Sequence, residues 1–130
     1  MYLVDTNIFL HILLKKDKHL PAISFLKSDY ELFITEFSIY SICILLSKLK
    51  KYDLMNTFVE DILSSENISI ISNEPEDIEH IVNIEKQFDL DFDDAYQYYT
   101  ATRDELIIVS YDTDFERTTN GFKKPEDVIS

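Results

Sequence analysis

Four short apolar runs punctuate this chain at wide intervals, at residues 2–4, 32–34, 68–71 and 106–109, and the last three carry β-branched residues. Each run is too short to be a helix on its own, and helical apolar spacing fills the intervals. The helical segments are residues 7–14, 20–27, 35–50, 54–64, 74–88 and 91–103. Thr6 or Asn7 stands near the cap of the first, and Pro21 suits a first helical position in the second. Buried strands separated by helices predict an α/β fold with a central, mostly parallel sheet. Ligands of such folds bind outside the carboxyl ends of the strands, so the residues after each run are the ones to inspect.

Glycine usage narrows the options further. Gly121 is the only glycine and the prolines are Pro21, Pro75 and Pro125. No phosphate-cradling glycine loop exists, and a hairpin-rich β-sandwich is disfavoured. The 130 residues suit one domain, residues 1–130, and 45% hydrophobic and 13% aromatic residues suffice for a packed core. No apolar run approaches the ~18 residues of a membrane span, and the start lacks the basic and apolar regions of a signal peptide. The lone Cys43 excludes a disulfide framework and a cysteine zinc site, and reads best as a small buried hydrophobe. A cytoplasmic location fits these features.

The net charge of -13 repels nucleic acid and anionic membranes at long range. Bound divalent cations are one local feature that would reverse this field. Carboxylates stand where the fold would gather them. Asp5 ends the first strand, Asp91, Asp93 and Asp94 open the last long helix, and Asp112 and Asp114 follow the fourth strand. Like charges at 4 Å repel by ~1 kcal/mol in water and by several times that in a less polar site. Hard cations such as Mg²⁺ or Mn²⁺ relieve that repulsion through oxygen ligands. His11, His19 and His80 have no metal-ligand spacing. Each acid also has an ordinary use. Asp5 and Asp91 can cap helices, Asp93 and Asp94 can face a helix dipole, and Asp112 and Asp114 can shape a turn.

Three motifs in order, VDTNIFL with Asp5, DDAYQYYTA with Asp94 and Ala95, and VSYDTDF with Asp112, Asp114 and Phe115, make the chain resemble the PIN domain family over nearly its whole length. These are small nuclease domains found in VapC-type toxin ribonucleases and relatives. The resemblance implies a three-layer α/β/α fold and Mg²⁺- or Mn²⁺-dependent cleavage of RNA by metal-activated water. Asp5, Asp94 and Asp112 would be the catalytic acids, and these three with Asp114 the metal-binding set. Thr6, Asn7 and Ser110 would line the site, or serve only as cap and turn residues. An antitoxin partner and a homodimer are expected.

One departure stands out. Family members carry a glutamate in the helix after the second strand, and Ser41 occupies that place. Glu36 lies five residues earlier, about 140° around the helix, so it reaches the site only if it precedes the helix cap. The alternative reading is therefore a PIN-fold binding or scaffold domain with weak or lost nuclease activity. Tyr96, Tyr98 and Tyr99 would serve a partner surface or the core. The densest basic groups, Lys48, Lys50 and Lys51 and then Lys15, Lys16 and Lys18, read as solvated helix ends or RNA contacts. An aspartate-nucleophile phosphatase is set aside because Asn7 stands where that motif needs a second aspartate.

Overall fold

The computed structural model describes residues 1–129. Four parallel strands, β1 (Tyr2–Val4), β2 (Leu32–Thr35), β3 (Ile68–Ile71) and β4 (Ile107–Val109), form one sheet in the order β3-β2-β1-β4. Between them lie α1 (Thr6–Leu13), α2 (His19–Leu26), α3 (Glu36–Lys48), α4 (Tyr52–Ser64), α5 (Ile78–Phe88) and α6 (Phe92–Arg103), and α7 (Pro125–Ile129) follows β4. The α/β class and the three-layer arrangement inferred from the sequence are both present.

Alternation along the strands builds two cores. Val4, Leu32, Ile34 and Val109 face one side, with Ile8, Phe25, Ile42, Leu46 and Phe58 from α1 to α4. Leu3 and Ile108 face the other, with Ile81, Ala95, Tyr98 and Ala101 from α5 and α6. Each fully buried Leu, Ile or Phe contributes about 1.5–3 kcal/mol relative to exposure, so both faces drive closure of the sandwich.

Several details differ from the sequence reading. β3 pairs only with β2 and is half exposed, so it is an edge strand and not a buried one. Leu106 precedes β4, and Thr35 ends β2 and caps α3 through its side chain. Of the cap candidates Asp5, Thr6 and Asn7, it is Asp5 that caps α1. Pro21 is the third residue of α2, still within the first turn, where its missing N–H has no helical partner to lose.

The strand order also locates the binding crevice. The chain runs outward from β1 to β2 and β3, then returns through α5 and α6 to place β4 on the other side of β1. The connections from β1 and into β4 thus diverge, and a crevice opens at the carboxyl ends of these two neighbours.

Candidate metal centre

Asp5 leaves β1 with its backbone N–H bonded to the Val109 carbonyl at 3.0 Å, which fixes it beside β4. Its Oδ1 accepts from the Thr6 N–H at 2.8 Å and its Oδ2 from the Ser110 hydroxyl at 2.7 Å. Ser110 also accepts from the Asp112 N–H at 2.9 Å and from Asn7 Nδ2 at 3.2 Å. Asn7 Oδ1 accepts from the Tyr111 N–H at 3.2 Å. Asn7 and Ser110 therefore hold the ends of β1 and β4 together, while Thr6 orients Asp5 through its N–H. Asp112 caps the turn that follows, accepting from the Asp114 N–H at 2.8 Å. The capping use foreseen for Asp5 and the turn-shaping use foreseen for Asp112 are both real, and they leave both acids beside the crevice.

Asp94 reaches the same place from the first turn of α6. One carboxylate oxygen each from Asp94, Asp112 and Asp114 lie within 4.8 Å of one another. Asp5 stands outside that group of three, yet close enough for its charge to act on Asp94. Asp91 sits at the cap position of α6 without a side-chain cap bond, and Asp93 is exposed beside it.

Burial sets the electrostatics. It pushes the Asp5 carboxyl up to about 6, with smaller upward pushes from Asp112 and Asp93, against the downward pull of its bonds from Ser110 and Thr6. Asp94 is pushed up to about 9, first by burial, then by its hydrogen bond with Asp112 and by the charges of Asp5, Asp112 and Asp93. Without a counter-charge, Asp94 keeps its proton at neutral pH. The donor set is entirely carboxylate oxygen, which suits a hard divalent cation. Such an ion would replace the proton and offset the crowding, so the residues present fit Mg²⁺ or Mn²⁺.

Two features were not read from the sequence. Arg117 Nη2 lies 3.0 Å from Asp114 Oδ1, bringing one guanidinium to the rim of the acids. The spacing Asp114–Arg117 on a short turn was its only sequence signal. A buried neutral network of Thr6, Thr35, Ser38 and Gln97 runs behind the acids. Its only sequence signals were the single polar residues Ser38 and Gln97, each three residues from another polar residue of the site, Thr35 and Asp94. Glu36 is the first residue of α3, after the Thr35 cap, where it holds the phenol of exposed Tyr40 above its ordinary pKa. The cap position through which it would have reached the crevice belongs to Thr35. The lysine groups at 15–18 and 48–51 follow the carboxyl ends of α1 and α3, away from the acids at the opposite ends of those helices.

The family model for the PIN domain matches residues 2–121. The chain belongs to the PIN domain family. Solved structures with this PIN fold include a toxin–antitoxin complex from Klebsiella pneumoniae, 21% identical, with TM-score 0.74 over 96% of this chain and 98% of that one. VapC20 from Mycobacterium tuberculosis, a sarcin–ricin-loop-cleaving toxin, is 15% identical, with TM-score 0.75 over 94% and 96%. FitAcB from Neisseria gonorrhoeae is 19% identical, with TM-score 0.69 over 97% and 99%. The comparison with curated proteins returned no match.

Proposed function

We propose that this PIN domain is a metal-dependent endoribonuclease whose Asp5, Asp94, Asp112 and Asp114 hold Mg²⁺ or Mn²⁺, with Asp5, Asp94 and Asp112 as its catalytic acids. The observation that carries the reading is the grouping of Asp94, Asp112 and Asp114 within 4.8 Å beside buried Asp5. When bound, the cation supplies a water activated for attack on a phosphodiester and positive charge to stabilise the phosphate in transit. Ser110 and the Thr6 N–H orient the Asp5 carboxylate, and the Asp114 N–H orients Asp112. Arg117, half exposed, pairs with Asp114 and offsets part of the negative charge at the rim.

The toxin–antitoxin relatives extend the reading to a toxin held by an antitoxin. An apolar groove of about 470 Å³ between α1, α2 and α4, lined by Ile12, Leu13, Ile23, Leu26 and Leu54, suits an apolar partner segment. Exposed Tyr40, Ile44, Leu49 and Tyr52 on and between α3 and α4 suit a homodimer. No helix among the described residues is long and apolar enough to cross a membrane, and we place the protein in the cytoplasm.

The test is calorimetric titration with Mn²⁺, followed by incubation with a panel of labelled RNAs. Wild type binds Mn²⁺ and cuts at least one RNA, and Asp94→Asn loses both properties. A second reading, a PIN-fold scaffold, draws on Ser41 at the glutamate's place and on the Arg117 pair that occupies Asp114. Partner capture by wild type and Asp5→Asn alike, with no Mn²⁺ binding and no cleavage, would establish it instead.

A further inference from the structure

Gln97 lies on α6 three residues beyond Asp94, hence on nearly the same helix face, and only 1% of it is exposed. Its Nε2 donates to the Ser38 hydroxyl at 2.5 Å and to the Thr35 hydroxyl at 3.2 Å. The Thr6 hydroxyl also donates to Ser38, at 2.8 Å, and the Thr6 N–H holds Asp5. One relay of neutral side chains therefore runs from the helix of Asp94, through the start of α3, to the residue that orients Asp5. It ties the first turns of α1 and α3 to the second turn of α6. Ser41, the residue at the family glutamate's place, sits one turn beyond Ser38, within about 60° of it around α3.

The relay is built for this setting and is more than packing. Ser38 Oγ bonds to Thr6, Thr35 and Gln97, which uses its two lone pairs and its one proton, while Gln97 Oε1 is buried without a partner. Exchanging the two amide ends lets the Ser38 hydroxyl donate to Oε1, and 2.5 Å suits O–H···O better than N–H···O. In either orientation one end of the amide stays unmatched. An amide this deeply buried, one turn from Asp94, is held in place by its bonds to Ser38 and Thr35.

We propose that Gln97 is a positioning residue of the metal centre: through Ser38, Thr35 and Thr6 it fixes the spacing of Asp94 and Asp5. This rests on the metal-binding reading above. The neutral relay braces α3 against α6 without a further negative charge, in the chain that carries Ser41 in place of glutamate.

The test is Mn²⁺ calorimetry with metal-free thermal melting, on wild type, Gln97→Met, Ser38→Ala, Gln97→Glu and Asn67→Ala. Asn67 is the control: it bonds the Ser28 and Tyr30 carbonyls at the other end of the sheet. Gln97→Met and Ser38→Ala are expected to weaken Mn²⁺ about 10- to 100-fold, as removal of a ligand's supporting partner does. Gln97→Glu, which can accept from the same hydroxyls, is expected to bind at least as tightly as wild type. Asn67→Ala lowers the melting temperature and leaves Mn²⁺ affinity unchanged. If Gln97→Met does not fold, Ser38→Ala carries the same expectation. If wild type binds Mn²⁺ and the relay variants bind no more weakly than Asn67→Ala, Gln97 only packs the core and the proposal is overturned. If wild type binds no Mn²⁺, the metal reading itself fails, and the proposal with it.

Discussion

At the residue scale the acids carry the sharpest consequences. The Asp5 and Asp94 carboxyls rise from 3.8 to about 6 and about 9 on folding. A carboxyl raised in this way stabilises the fold fully below its unfolded value, and that contribution is lost as pH rises through the folded value. The metal-free protein should therefore lose stability from about pH 4 towards pH 9. Asp5 alone accounts for on the order of 3 kcal/mol, at ~1.4 kcal/mol per unit. Scanning calorimetry with chelator tests this, and a flat profile between pH 5 and 9 would count against it. Asp94→Asn should remove the upper part of the fall and melt higher than wild type at pH 8 without metal. Mn²⁺ should restore wild type there and do little for the variant. Ser110→Ala strips the hydroxyl from Asp5 Oδ2 and from the Asp112 N–H. It should cost about 1–3 kcal/mol in chemical denaturation and weaken Mn²⁺ binding as well.

At the element scale, the helix ends show why boundaries were hard to read. Lys15, Lys50, Asp89 and Glu105 all have positive φ, between 51° and 57°. Each follows a helix, and the next residue's N–H returns to a carbonyl five residues back: Lys16 to His11, Lys51 to Leu46, Leu90 to Glu85, Leu106 to Ala101. These are Schellman endings with no glycine in the left-handed position. The usual stop signal is missing from all four, which is why the sequence placed the end of α3 at Lys50, two residues late. Lys50→Gly and Glu105→Gly should each stabilise the protein by about 1 kcal/mol, the relief of left-handed strain less glycine's entropy cost. Thermal or urea denaturation would show it, and a loss of stability in both would contradict the account. Helix starts were legible only in part: the acids around residues 91–94 mark the first turn of α6, but Pro75 opens a short 3-10 turn, Pro75–Asp77, and α5 begins at Ile78, four residues later than the sequence placed it.

At the scale of the whole molecule, the charge of -13 would govern how the proposed RNA substrate is met. The densest lysine groups lie away from the acids, and Arg117 is already paired with Asp114 and Asp89. Binding to RNA should therefore require divalent cations. Filter retention of a non-cleavable RNA analogue should be negligible in chelator and appear with Mn²⁺, with a shallow dependence on monovalent salt, because few phosphates meet fixed cations. Tight binding in chelator would point to a basic surface instead. Local pattern was enough to show strand-and-helix alternation, the acids after β1 and β4, and the absence of glycine loops, since these depend only on residue type and on periods of two and 3.6. It could not show that β3 is an exposed edge, that Thr35 and not Glu36 holds the α3 cap, or that Arg117 meets Asp114. Nor could it join Gln97 to Ser38, Thr35 and Thr6, residues between 3 and 91 positions apart in the chain. Such contacts exist only once two cores have closed on the sheet and brought the N-terminal halves of three helices to one end of it.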